Sequence, residues 1–79
     1  MKPLFVLIKC ELGKAYQVAE ELVDHVPGIA EVHSISGEYD LLAKFNVEEV
    51  SDIGHFVCEH IQTLAGIRDT FTIPTNKAF

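Results

Sequence analysis

From Leu4 to Cys10 (LFVLIKC) the chain is apolar almost without interruption and rich in β-formers, the pattern of a central strand covered on both faces. Pro3 stands where a strand can begin but not continue inward. After the short loop Glu11-Leu12-Gly13 the period lengthens. Over Lys14–His25, Ala15, Val18, Ala19, Leu22 and the following Val26 make one apolar stripe, while Glu20, Glu21 and Asp24 face water. Pro27-Gly28 ends this helix. Ile29–Ile35 reads as a second strand, with Glu31 and His33 interrupting one face. In Leu41–Val47 the period is two: Leu41, Ala43, Phe45 and Val47 alternate with Leu42, Lys44 and Asn46. Glu48–Leu64 returns to helical spacing through Val50, Ile53, Val57, Ile61 and Leu64, and Glu48 and Glu49 suit the positive end of its dipole. Gly66 closes it, Ile67–Ile73 is the last strand, and Pro74 onwards reads as a tail.

The order is β-α-β-β-α-β, and an internal echo supports it. Pro27-Gly28-Ile29-Ala30-Glu31 recurs as Ala65-Gly66-Ile67-Arg68-Asp69, and Ile35 matches Ile73 at the same offset. Right-handed crossovers then impose an α+β, ferredoxin-like sandwich: an antiparallel sheet of order 4-1-3-2 with both helices on one face. The other face presents alternate residues of four strands, among them members of the set Phe5, Leu7, Leu42, Thr70 and Thr72. A patch of that kind needs a partner surface, and a second copy packed sheet to sheet is the simplest. A dimer at least is expected.

Ser36-Gly37-Glu38-Tyr39-Asp40 joins the two βαβ halves. The gap fits a hairpin, with Gly37 supplying the positive φ of a tight turn. A plain hairpin manages with Asn-Gly, whereas this one sets a phenol beside a carboxylate at the mouth of an apolar strand. Tyr39 packing on the sheet edge and Asp40 capping the turn is one account. The other is recognition: a small zwitterion needs an anionic acceptor and a cluster of donors close together, and the loop offers both.

The chain's 79 residues make one domain, 1–79. A chain this short hides only a little more than about 60% of its unfolded surface. Hydrophobic residues nevertheless make up 48%, more than one thin core absorbs, which again favours self-association. Six Lys/Arg against twelve Asp/Glu give a charge of −6, a poor basis for binding nucleic acid or an anionic membrane. The apolar stretch Pro3–Ile8 is too short to span a bilayer and follows no signal-peptide pattern, so a cytoplasmic location is expected. Cys10 and Cys58 form no C-x-x-C and fit reduced thiols.

Other chemistry is thinly represented. His55, Cys58, Glu59 and His60 lie within six residues of the second helix, two of them able to face one metal. No second cluster completes a site, and a solvated helix face with one part-buried thiol accounts for them better. No nucleophile sits near a His–acid pair, so neither catalysis nor a cofactor is expected.

A strand like FVLIK, a helix ending in PGI-x-EV, then SGEYDLLAKF, a helix, and GI-x-x-T-x-T together resemble the effector-binding module of the Lrp/AsnC (feast/famine) transcription regulators, the RAM domain. The resemblance covers essentially the whole chain, and Gly37-Glu38-Tyr39-Asp40 is its most specific part. Members carry an N-terminal helix-turn-helix domain. Here the first strand is entered by Leu4, so the expectation is a stand-alone RAM domain that does not itself touch DNA. The resemblance implies dimers assembling into rings, such as octamers or decamers, with an amino acid or similar effector held between dimers. By position, Gly37 would offer backbone N–H groups to the effector carboxylate, Asp40 would accept its ammonium, Tyr39 would wall the pocket, and Thr70 and Thr72 would supply hydroxyls. Ser36 joins them by adjacency.

Three alternatives share the topology. One is a dimeric α+β-barrel monooxygenase, with His33 facing a sheet cavity. Another is an ACT-like module, which also binds amino acids between subunits. The third is a structural partner that co-assembles with full-length Lrp/AsnC regulators without ligand.

Overall fold

The six elements in chain order are strand β1 (Lys2–Cys10), helix α1 (Ala15–His25), strands β2 (Ile29–Ser34) and β3 (Leu41–Val47), helix α2 (Ile53–His60) and strand β4 (Ile67–Pro74). They come from a computed structural model, which describes residues 2–47 and 52–79. The sheet runs β2-β3-β1-β4, the expected 4-1-3-2 read from the opposite edge, and all its pairings are antiparallel.

Alternation along the strands sorts the two faces. Leu4, Val6, Ile8 and Cys10 of β1 are buried, as are Leu41, Ala43 and Phe45 of β3. Val18 and Leu22 of α1, Val57 of α2 and the adjoining Ile61 join them in one core, so both helices cover the same side of the sheet. Ala15, Ala19, Ile53 and Leu64 pack around that core, as their spacing requires. Phe56, outside the apolar stripe read from the sequence, adds an edge-to-face contact with Phe45 at 5.7 Å between ring centroids. Val50, Glu48 and Glu49 lie outside the described residues.

Several boundaries differ from the sequence reading. Strand β1 begins at Lys2, with Pro3 opposite Asn46 of β3. The proline is tolerated because β4 extends only as far as Leu4 on the other side, so no donor is wanted there. Helix α2 starts at Ile53, where the Asp52 carboxylate accepts the His55 N–H at 2.9 Å as an N-cap. It stops at His60 instead of Leu64. The Thr63 hydroxyl donates to the Glu59 carbonyl at 2.8 Å, while the Val57 carbonyl receives both the Ile61 and the Gln62 N–H. Strand β2 gives out at Ser34, although the Ile35 N–H still bonds across the hairpin to the Asp40 carbonyl at 2.9 Å.

The sequence echo is a structural one. Gly28 and Gly66 stand in the same place in each half, at the turn from helix into strand, and Gly66 is the tighter of the two. Its φ is +93°, and a Cβ there would meet Val18 Cγ2 at 3.0 Å and the Lys14 Cβ at 3.2 Å. The Gly66 carbonyl also accepts the Glu11 N–H at 2.8 Å, tying the β1–α1 loop to the start of β4.

Candidate functional site

The hairpin between β2 and β3 is built around one acid. Asp40 donates its N–H to the Ile8 carbonyl at 2.9 Å and accepts the Cys10 N–H on Oδ2 at 2.7 Å. The carboxylate occupies the place on the β1 edge that a strand carbonyl would otherwise take. It supplies the acceptor there because the Asp40 carbonyl is already turned back to Ile35. Burial, and then the nearby Asp40 charge, push the Cys10 thiol above its ordinary range, which keeps it protonated. Gly37, at φ +118° with open space around it, makes the reversal at the exposed end of the loop, beside exposed Ser36 and Glu38.

Lys9 pins the same loop from below, its Nζ donating to the Glu38 carbonyl at 3.0 Å. Tyr39 leaves the hairpin in the opposite sense to the core. Its ring stacks with Phe71 of β4 at 6.3 Å and 27°, reaching over β1 to do so. Phe71 stands opposite Leu7, and Ile73 opposite Phe5, which places all four on the sheet face away from the helices. Leu42 joins them by its pairing with Leu7. Phe71 is 53% exposed and Ile73 39%, so an apolar surface bordered by the hairpin is left uncovered in one copy of the chain.

Thr70 and Thr72 are on the other face. They stand opposite Ile8 and Val6, whose side chains are buried under the helices, and the Thr70 hydroxyl takes the Gln62 side-chain amide at 2.7 Å. The half-period of a strand decides this: once Phe71 and Ile73 face outward, the threonines between them cannot. The structure therefore gathers Ser36, Gly37, Tyr39 and Asp40 into one loop, and sets Thr70 and Thr72 two strands away on the helix side. Lys9 is a neighbour that the sequence reading does not include. Its position at the end of an apolar strand, in alternation with Leu7 and Phe5, is the signal that places it on the open face beside the loop.

His33 also lies on the open face, opposite Leu42, but at the β2 edge and exposed. Its Nε2 meets Glu31 Oε1 at 2.9 Å, and Lys44 approaches the other Glu31 oxygen at 3.6 Å. The His33 hydrogen bond, with the Lys44 charge second, holds the Glu31 carboxyl below its ordinary value. On α2, His55 pairs with Glu59 at 2.7 Å, His60 lies against Phe56, and Cys58 is exposed. Among the described residues no three His, Cys, Asp or Glu side chains converge as a metal site would require. No helix among them is long and apolar enough to cross a membrane.

A four-stranded antiparallel sheet in the order β2-β3-β1-β4, covered by two helices on one face and open on the other, is a ferredoxin-like sandwich. The Lrp/AsnC ligand binding domain matches residues 4–78, and the chain belongs to that family. It is similar to an uncharacterized HTH-type transcriptional regulator of Pyrococcus abyssi, 37% identical over 72 residues, covering 87% of this chain and 47% of the regulator. It thus spans about half the length of the curated relatives it matches. Among solved structures it superposes on TTHA0845 from Thermus thermophilus with a TM-score of 0.90 and 30% identity, covering 100% of this chain and 98% of that one. It shares its fold with the transcriptional regulator NMB0573 of Neisseria meningitidis, solved as an L-Met complex. There the TM-score is 0.79 at 18% identity, over 96% of this chain and 50% of the other. Most of these relatives are named as HTH-type transcriptional regulators, while a weaker match, 28% identical over 67 residues, covers 14% of a homocitrate synthase of Sulfurisphaera tokodaii.

Proposed function

We propose that the chain is an amino-acid-responsive oligomerisation domain, acting in transcription regulation or amino-acid metabolism in the cytoplasm without itself binding DNA. The observation that carries this is the hairpin: a carboxylate, a positive-φ glycine and an aromatic wall grouped at the border of an uncovered apolar face. The face pairs with a second copy, and dimers meet through their hairpins in a ring such as an octamer or decamer. A free amino acid sits at that contact. Asp40, through the oxygen not bonded to Cys10, accepts the ammonium; N–H groups around Ser36 and Gly37 receive the carboxylate; Tyr39 closes one side. Thr70 and Thr72 belong to this site only as a neighbouring subunit's contribution. The ligand works by favouring the assembly in which its contacts are complete.

The L-Met complex of the Neisseria regulator supports an amino acid as the ligand class, and the acidic charge supports a role away from DNA. Co-assembly with full-length Lrp/AsnC regulators follows from the shared module. The monooxygenase alternative draws no support from His33, which is exposed and bonded to Glu31. Titration calorimetry of the assembled protein against the twenty amino acids tests the reading, with Asp40→Asn as control because the amide can still accept the Cys10 N–H. The expected result is one ligand or a small group binding below millimolar, weakened at least about tenfold by the variant, the worth of one charged hydrogen bond. Binding by none of the twenty would leave the domain a purely structural partner.

A further inference from the structure

The polar half of the open face is set by a break in register on β2. Ile29 stands opposite Phe45, but the pairing then slips by one, so that Glu31 meets Lys44 and His33 meets Leu42. Without the slip, Glu31 and His33 would follow Ile29 onto the core side, because residues two apart on a strand share a face. The bulge passes over Ala30 and turns them outward instead. Val32 takes the inward place and packs against the core.

On the open face the two residues form one cluster with Lys44. Glu31 meets His33 Nε2 at 2.9 Å with one oxygen and Lys44 Nζ at 3.6 Å with the other. The cluster adjoins the apolar surface. From His33 a row of facing residues runs through Leu42 and Leu7 to Phe71, and from Lys44 another runs through Phe5 to Ile73. A partner seated on those apolar side chains therefore covers the cluster as well. The other charged side chains on this face, Lys9 and Asp69, lie on β1 and β4, and the helices pack on the opposite side. Among the described residues, Glu31 and Lys44 are thus the charged neighbours of His33.

Charge decides what covering costs. With His33 neutral, Glu31 and Lys44 cancel, and the cluster can lose its water with its bonds intact. A protonated His33 leaves two cations on one carboxylate, and that excess charge must be desolvated together with the apolar face. Glu31 offers no relief by titrating, since the His33 hydrogen bond, and then the Lys44 charge, hold its carboxyl below the ordinary value. In a two-fold pair the cost falls on both copies.

On the reading that a second copy covers the open face, we propose that the Glu31–His33–Lys44 cluster is a pH-sensitive switch on that assembly, opposing it when His33 is protonated and permitting it when His33 is neutral. The covered pair binds fewer protons than two separate copies. Association therefore strengthens as pH rises and weakens as it falls through the range in which imidazoles titrate.

Sedimentation equilibrium of the whole chain at about pH 8 and about pH 5.5 tests the switch, on either side of that range. The variants are His33→Gln, His33→Lys and Phe71→Asp, with circular dichroism at both pH values to confirm that each folds. Self-association of the parental chain should weaken at least about tenfold in acid, the effect of one unit in the proton affinity of a single group. His33→Gln can still donate to Glu31 but does not titrate, and its association should change by less than about threefold. His33→Lys, with a fixed charge, should associate at the higher pH as weakly as the parental chain does in acid. Phe71→Asp should remove association at both pH values. The switch is overturned if the parental chain associates equally at both, or if His33→Gln loses as much in acid as the parental chain, which would move the effect to other groups. It is overturned too if Phe71→Asp keeps a pH-dependent association, because the copies then meet elsewhere. A parental chain that is monomeric even at the higher pH would overturn the covered face itself, and the switch with it.

Discussion

Single residues in this domain carry two duties at once, and Asp40 is the clearest case. Its carboxylate completes the β1 edge by accepting the Cys10 N–H, a structural duty separate from the binding proposed for it. A truncation to alanine therefore confounds folding with binding, since the stranded part-buried donor alone costs about 1–3 kcal/mol. The asparagine keeps the acceptor and removes the charge, which is why it is the informative substitution. The thiols separate just as cleanly. Cys10 is buried with its pKa raised by burial and by Asp40, whereas Cys58 stands on the outer side of α2. Because the thiolate is the reactive form, a thiol reagent at neutral pH should modify Cys58 and leave Cys10 intact until the protein unfolds. Peptide mapping after brief alkylation reads this directly, and equal modification of both cysteines would mean that the β1 edge opens readily.

At the scale of elements, the period of each apolar stretch is enough to place five of six segments to within a residue or two. The stripe Ala15–Val26 and the alternation Leu41–Val47 leave little choice of conformation. The second helix is harder to bound, because apolar spacing runs on to Leu64 while the backbone turns at Ile61. Near its end the Thr63 hydroxyl bonds the Glu59 carbonyl, a side-chain contact that periodicity does not register. The same blindness touches the candidate site. Tyr39 and Asp40 stand out in the sequence because a hairpin does not need their chemistry, and Gly37 because the turn needs its positive φ. The faces of Thr70 and Thr72 depend on a β1–β4 register with a bulge at Lys9/Cys10, which no local pattern reveals. The joint between halves makes its own prediction. Gly66→Ala meets both a φ of +93° and contacts of 3.0–3.2 Å with Val18 and Lys14. It should destabilise the domain by at least about 1 kcal/mol, since an L side chain is strained there even before the clash. A lowered midpoint in denaturant unfolding checks it, and an unchanged midpoint would show that the turn relaxes freely.

The whole molecule has one well-filled face and one bare one. Among the described residues, twelve buried apolar side chains sit between sheet and helices, and no buried side-chain polar atom lacks a partner. The opposite face carries Phe5, Leu7, Leu42, Phe71 and Ile73, a surface that a small domain does not leave in water without cause. Phe71→Asp places a charge at its exposed middle, away from the core. It should shift the protein towards monomer in sedimentation velocity while leaving the far-ultraviolet spectrum unchanged. Retention of the parental assembly would mean that copies meet elsewhere.

An amino acid bound at the hairpin would change how copies of this chain assemble, a change that native mass spectrometry reads without intermediaries. Spectra would be recorded for the parental chain and for Asp40→Asn, each with and without a mixture of the twenty common amino acids. The mixture should shift the parental chain towards one ring state with ligand mass retained, and should leave the variant's distribution as it was. Identical distributions with and without amino acids in the parental chain would contradict it.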